Sequence, residues 1–173
     1  QFGDEITILH SSEVEIKADG SLDYPDDFLA SLDLVVASLH SSLRQPREKI
    51  TERLLNAVNN PHVDIIGHPT GREIPDREGA DLDMEVILKA AAKSGVAMEV
   101  NASPYRLDLD DMHARRAKEL GVLLSINTDA HSEEDYDMLP YGVAIARRAG
   151  ILKDDVINTW STKKLLDWLK KRG

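Results

Sequence analysis

Residues 83–101 read DMEVILKAAAKSGVAMEVN and hold one complete passage from helix to strand. Met84, Ile87, Leu88 and Ala91 recur at i, i+3, i+4 and i+7, which lays one apolar stripe along a helix; Gly95 stops it, and 96–100 follows as a short β-rich run. The same shape returns 26 residues later, where Gly121-Val122 leads to Asn127 as Gly95-Val96 leads to Asn101. That offset is the length of one βα unit. Working outward, β-rich runs at 6–16, 34–39, 63–66, 96–100 and 122–126 alternate with expected helices at 26–32, 46–59, 83–94, 110–120 and 133–149, with short ones at 154–158 and 162–171. Strict alternation predicts an α/β fold with a parallel sheet or barrel, in one domain.

Composition narrows the function. The chain has 173 residues, with 21 Lys and Arg against 31 Asp and Glu, for a net charge of −10. A stand-alone protein gripping nucleic acid through a basic face is excluded, whereas a nucleic-acid enzyme whose acidic groups hold cations is not. The absence of cysteine removes disulfides, thiolate metal sites and thiol catalysis, and suits a cytoplasmic protein. No apolar run approaches the ~18 residues of a membrane span, and no secretion signal is expected at the N-terminus.

The polar residues collect where strands end. His40, His68, Asn101, and the pair Asp129 and His131 each follow a β-rich run directly, and in parallel α/β folds those ends share one face. Three histidines and an aspartate on separate loops of one face point to a metal site, of a kind that suits Zn, Mn or Fe. Asp129-Ala130-His131 is the strongest element, because alternate residues of an extended segment reach the same way. His10, His62 and His113 lie elsewhere and read as structural or solvated. Glu13 and Glu15 alternate on the first strand, and the residues alone leave open which one serves the site. Arg44, Arg72 and Arg106 lie just beyond strand ends, where guanidinium forks suit a phosphate oxyanion. The acidic runs 108–111 and 133–137 read as helix N-terminal caps.

These segments resemble a known family. Ser12-Glu13-Val14-Glu15-Ile16-Lys17-Ala18-Asp19-Gly20, Val36-Ala37-Ser38-Leu39-His40-Ser41, Gly67-His68-Pro69-Thr70-Gly71-Arg72, Asn101-Ala102-Ser103-Pro104-Tyr105-Arg106-Leu107-Asp108-Leu109 and Asn127-Thr128-Asp129-Ala130-His131-Ser132 are similar to the PHP (polymerase and histidinol phosphatase) superfamily. More narrowly, they resemble the C-terminal PHP domain of bacterial and archaeal family X DNA polymerases. The resemblance implies a distorted (β/α)7 TIM-like barrel with two or three divalent ions, Mn, Zn, Fe or Mg, and hydrolysis of phosphoesters, including 3′–5′ exonuclease and DNA end processing. A free-standing phosphatase of the histidinol-phosphatase type, or a non-catalytic scaffold beside a polymerase, is the alternative.

Carried over by motif, the implied metal ligands are Glu13, His40, His68, Asp129 and His131, which selects Glu13 over Glu15. Asp129, His131 and Arg72 would carry catalysis, and Arg44, Arg72, Asn101 and Arg106 would bind substrate. The family's earlier ligands, a His-x-His followed by an Asp and a His, are expected upstream, and about five βα units are present where the barrel has seven. Residues 1–173 therefore read as the C-terminal portion of a PHP domain, an incomplete barrel that turns over poorly alone. DNA is the expected partner, and the open sheet edges favour self-association.

Overall fold

The computed structural model describes residues 6–170. Five strands, β1 (Ser11–Glu15), β2 (Leu34–Ser38), β3 (Ile65–Gly67), β4 (Ala97–Asn101) and β5 (Leu124–Asn127), form one parallel sheet in the order of the sequence. Between them run helices α1 (Asp26–Leu29), α2 (Arg47–Asn59), α3 (Met84–Ser94) and α4 (Asp111–Glu119), with α5 (Leu139–Ala149) and α6 (Thr162–Leu169) after β5. This α/β arrangement is consistent with a partial TIM-like fold; among the described residues β1 and β5 are the sheet's edges, and no ring closure joins them. No helix among them is long and apolar enough to cross a membrane.

Local chemistry explains the boundaries. The Asp83 side chain accepts the Val86 N–H at 3.2 Å and so caps α3, and Gly95, at φ 78°, turns the chain off while its N–H donates to Ala91 O. The expected run at 6–16 contributes only Ser11–Glu15, because β2 offers five partners, from Leu34 opposite Ser11 to Ser38 opposite Glu15. The expected helix at 133–149 is two elements, a 3₁₀ helix Glu133–Met138 followed by α5. Pro140 has no N–H to continue the ladder across that joint. The segment expected as one helix at 154–158 is a pair of 3₁₀ turns, Lys153–Asp155 and Ile157–Thr159. Ser161 caps α6 by accepting the Lys164 N–H, and the expected last helical residue, Lys171, lies outside the described residues.

The period-two alternation of the strands sorts the chemistry. Val14, Val35, Ala37, Ile66, Met98, Val100 and Leu124 face the helical layer, where Ile50, Leu54, Ile87, Leu88, Ala114 and Ala117 complete a buried core. The alternate residues, Glu13, Glu15, Ser38, Gly67, Glu99, Asn101, Ser125 and Asn127, belong to the other face. Toward the other end of that face a second apolar cluster of Ile65, Ala97 and Ile157 is closed by Trp160, Leu165 and Trp168. Apolar packing thus fills one side and one end of the sheet, and polar residues line what is left.

Helix α5 approaches the sheet more closely than a side chain permits. A Cβ built on Gly142 would stand 2.7 Å from both Ala102 Cβ and Ile126 Cγ2. Gly142→Ala is therefore expected to lower unfolding free energy by about 1–3 kcal/mol through overpacking, despite the better helix propensity of Ala. Urea denaturation measures it; a midpoint equal to or above that of the parent would show that α5 can retreat freely.

Candidate metal centre

The middle of β1 and the loops after β2 and β3 bring three side chains together. Glu13 Oε1 lies 3.4 Å from His40 Nε2 and 3.1 Å from His68 Nε2. The two imidazoles meet edge to face with centroids 5.0 Å apart. One ligand atom from each of the three residues falls within 4.8 Å of the others, and this is the one such His, Asp and Glu group among the described residues. Gly67 makes room for it: a Cβ there would stand 2.5 Å from Ser38 Oγ and 3.6 Å from Glu13 Oε1. His68 follows at φ +27°, a backbone conformation that non-glycine residues hold only under constraint.

The charges are matched. Hydrogen bonds from His40, and then from His68, hold the Glu13 carboxyl far below the usual carboxylate range, so it is ionised at any working pH. The Glu13 bond raises the His40 imidazole, against burial, with Glu15 adding to the rise. His40 Nδ1 lies 2.7 Å from Glu15 Oε2, so the carboxylate on the outer nitrogen leaves Nε2 turned to Glu13. Burial pushes the Glu15 carboxyl up, but bonds from Ser41 and His40 outweigh it and the net shift is down. Glu15 also accepts the His40 N–H at 3.1 Å and the Ser41 hydroxyl at 2.6 Å, and it pairs with the buried Arg53 at 3.3 Å.

A divalent cation fits these residues. One carboxylate oxygen and two imidazole nitrogens are a donor set for Zn, Mn or Fe, and the carboxylate on the far nitrogen of His40 is the usual outer partner of a metal-binding histidine. Among the described residues His68 Nδ1 is buried without a hydrogen-bond partner, and the ring is held through Nε2 by Glu13.

The other expected site residues stand outside this group of three. Asp129, at φ +57°, lies 3.4 Å from Arg106 Nε through its Oδ2. The His131 side chain is 84% exposed, with Nδ1 2.7 Å from Asp129 O and its backbone N–H donating to Asp135. Arg44 is exposed. Arg72 donates through Nε to Arg106 O at 2.6 Å and through a terminal nitrogen to Leu107 O, while Asp110 lies 3.9 Å from the other. Its fork holds backbone carbonyls. Asn101, expected to touch substrate, is fully buried; its amide nitrogen donates to Glu99 at 3.2 Å and its oxygen accepts the Ser103 N–H at 3.0 Å. Arg106 has one terminal nitrogen buried without a partner and the other 3.7 Å from Glu73.

Of the three histidines expected to be structural or solvated, His113 lies 2.9 Å from Asp110 Oδ1, which raises its imidazole, and none of the three belongs to the Glu13, His40 and His68 group. Within the 108–111 run, Asp110 is the cap of α4, accepting the His113 N–H at 2.8 Å. Asp108 is not a cap: it is 1% exposed, and its Oδ2 accepts the N–H groups of Thr70 and Gly71 at 2.9 and 3.1 Å and the Thr70 hydroxyl at 2.9 Å.

Glu99 is the residue the sequence conceals best. It is 5% exposed, raised by burial, and accepts the His68 N–H at 2.6 Å and the Asn127 amide at 2.8 Å. A charged residue among the apolar ones of 96–100 was the available signal, because a fully buried strand has no reason to carry one unless it is bonded.

No family model matches the chain. Relatives do. It is 46% identical over 164 residues to the DNA polymerase/3'-5' exonuclease PolX of Bacillus subtilis, covering 95% of this chain and 29% of that protein. A probable phosphatase of Thermoanaerobacter sp. is 35% identical over 177 residues, covering 96% of this chain and 69% of the phosphatase. One from Shewanella oneidensis is 33% identical over 179 residues, covering 98% and 68%. The chain thus spans less than a third of PolX but more than two thirds of the phosphatases, and it belongs to the family of these bacterial probable phosphatases.

Proposed function

We propose that the chain serves a metal-dependent phosphoesterase of the PHP class that acts on DNA 3′ ends, in the manner of a family X polymerase. The observation that carries the reading is the Glu13, His40 and His68 cluster, on a polar face otherwise backed by apolar core. Glu13, His40 and His68 would hold one divalent ion, and Asp129 with His131 would contribute to a centre of two or three. Such ions supply Lewis acidity toward a phosphoryl oxygen and acidify a water. Arg106, 3.4 Å from Asp129, would be the guanidinium that meets phosphoryl oxygens. Arg72 would act through the loop carbonyls it holds. A cytoplasmic setting fits a chain without cysteine.

The phosphatase reading, hydrolysis of a small phosphomonoester, is favoured by the larger share of those relatives that the chain spans. The products separate the two. With Mn2+ present, the DNA reading expects nucleotides released from the 3′ end of a 5′-labelled single strand; inorganic phosphate from phosphorylated metabolites, with the labelled strand intact, would favour the other.

Metal binding itself has a predicted pH profile. His40 is raised above its ordinary value of 6.5, so an ion must displace its proton, whereas Glu13 is already ionised. Apparent Mn2+ affinity, by calorimetry, is expected to climb about tenfold per pH unit for that one proton until pH passes the raised value, then level off. Affinity that is flat from pH 6 to 8, or no binding at all, would remove His40 from the centre.

A further inference from the structure

The first turn of the loop after β3 gives three backbone donors to carboxylates, with the Gly71 N–H shared between Asp108 and the His68 carbonyl at 2.8 Å. The His68 N–H donates to Glu99 at 2.6 Å, Pro69 has none to give, and the N–H groups of Thr70 and Gly71 both donate to Asp108. In return Arg72 donates to the carbonyls of Arg106 and Leu107, in the segment that carries Asp108. The stretches His68 to Arg72 and Arg106 to Asp108 are thus two halves of one lock, and two carboxylates buried under the sheet's polar face are its bolts.

Glu99 is the one that touches the histidine. Its two oxygens face three donors, the His68 N–H, the Asn101 amide and the Asn127 amide. The chain continues outward, since the Asn158 amide donates to Asn127 at 3.2 Å and the Asn158 oxygen accepts the Ile126 N–H at 2.7 Å. A buried carboxylate is tolerated only when so bonded, and a non-glycine residue at φ +27° persists only when its surroundings over-determine it. Each requirement here meets the other.

We infer that Glu99 is a positioning residue: its carboxylate holds the His68 backbone in the left-handed conformation that aims the imidazole at Glu13, and Asn101 and Asn127 hold the carboxylate. The inference rests on the proposed function only in making His68 a metal ligand; the clamp belongs to the metal-free chain.

The test reverses a hydrogen bond. Glu99→Gln places an amide nitrogen against the Asn127 amide nitrogen, donor facing donor, whereas Glu99→Gln with Asn127→Asp lets the new amide donate to the new carboxylate, which can still accept from Asn158. Two readouts are taken: hydrogen exchange of the His68 amide without metal, and Mn2+ affinity by calorimetry. The single variant is expected to speed exchange at His68 by about tenfold or more while amides of α4 keep their rates. It should also weaken Mn2+ by about 10–100-fold, and the double variant should recover most of both. Parent exchange and affinity in the single variant would overturn the inference, as would losses that the double variant leaves unrepaired. A parent chain that binds no Mn2+ would sink the metal reading instead, with the exchange arm still deciding for Glu99. Should Glu99→Gln fail to fold, Asn127→Ser removes one donor and leaves Glu99 in place; it is expected to move both readouts the same way, and unchanged values there would overturn the clamp.

Discussion

Glu13→Gln is expected to lower Mn2+ affinity by at least about 100-fold, more than any other single change at the centre, since even outer-partner changes reach 10–100-fold. Glu13 supplies the one carboxylate oxygen that faces both imidazoles, at 3.4 and 3.1 Å. Glutamine keeps the volume and an acceptor oxygen but loses the charge. The same change should let the His40 imidazole titrate lower, because the Glu13 bond is the largest cause of its rise. Calorimetry reads the first effect and NMR titration of the His40 ring the second. Glu15→Gln is the control: it loosens the hold on His40 Nδ1 and should weaken the ion less. If Glu15→Gln proved the more damaging, the ligand would be Glu15 and the register of β1 at the site would have to be reassigned; parent affinity in both would place the ion elsewhere.

Which of the two glutamates serves the site illustrates what a sequence can and cannot show. Val14 and Ile16 on the core side guarantee that Glu13 and Glu15 share the opposite face, and that much is period-two arithmetic. The division of labour between them depends on how far β1 slides against β2, and the pairing of Glu13 with Val36 and Glu15 with Ser38 is a tertiary fact. The helix stop at Gly95 was readable because an αL turn needs glycine. The break before α5 falls at Pro140, which lacks the N–H that a continuous helix over 133–149 would need. Asp108 hid in an acidic run whose next-but-one member really is a cap, and nothing local distinguishes an aspartate that caps its own helix from one that caps a loop thirty-odd residues upstream. Arg72 hid in the same way: a guanidinium near a phosphate-type site and one that pins two carbonyls have the same letter in the same place.

Arg53→Met should be the most destabilising of the changes considered, at about 3–5 kcal/mol. Arg53 sits on the buried side of α2, between Ile50 and Leu54, and is only 2% exposed. Its Nε donates to Ile16 O at 3.0 Å, one terminal nitrogen donates to Ser41 O at 2.9 Å, and the other reaches both Ile16 O and Glu15. A methionine fills the channel with an apolar chain of similar length, so little volume is lost; what is lost is the donors. The Ile16 and Ser41 carbonyls lose their donor and Glu15 loses its counter-charge, and it is the group left unpaired, not the absent pair, that makes such changes expensive. At 2–4 °C per kcal/mol for a chain of this size, the melting temperature should fall on the order of 10 °C. Because the guanidinium is screened from solvent, the difference between parent and variant should be nearly the same at low and high salt, unlike that of a surface pair. Arg53→Lys should lie between, since a single ammonium keeps the charge but cannot reach Ser41, Ile16 and Glu15 at once. The damage should also reach the centre, because a Glu15 freed from Arg53 holds His40 Nδ1 less firmly, and Mn2+ affinity should drop even in the fraction that stays folded. A Met variant that melts within 2 °C of the parent in thermal unfolding would mean that water or a neighbouring donor replaces the guanidinium, and that Glu15 is held in place by Ser41 and His40 alone.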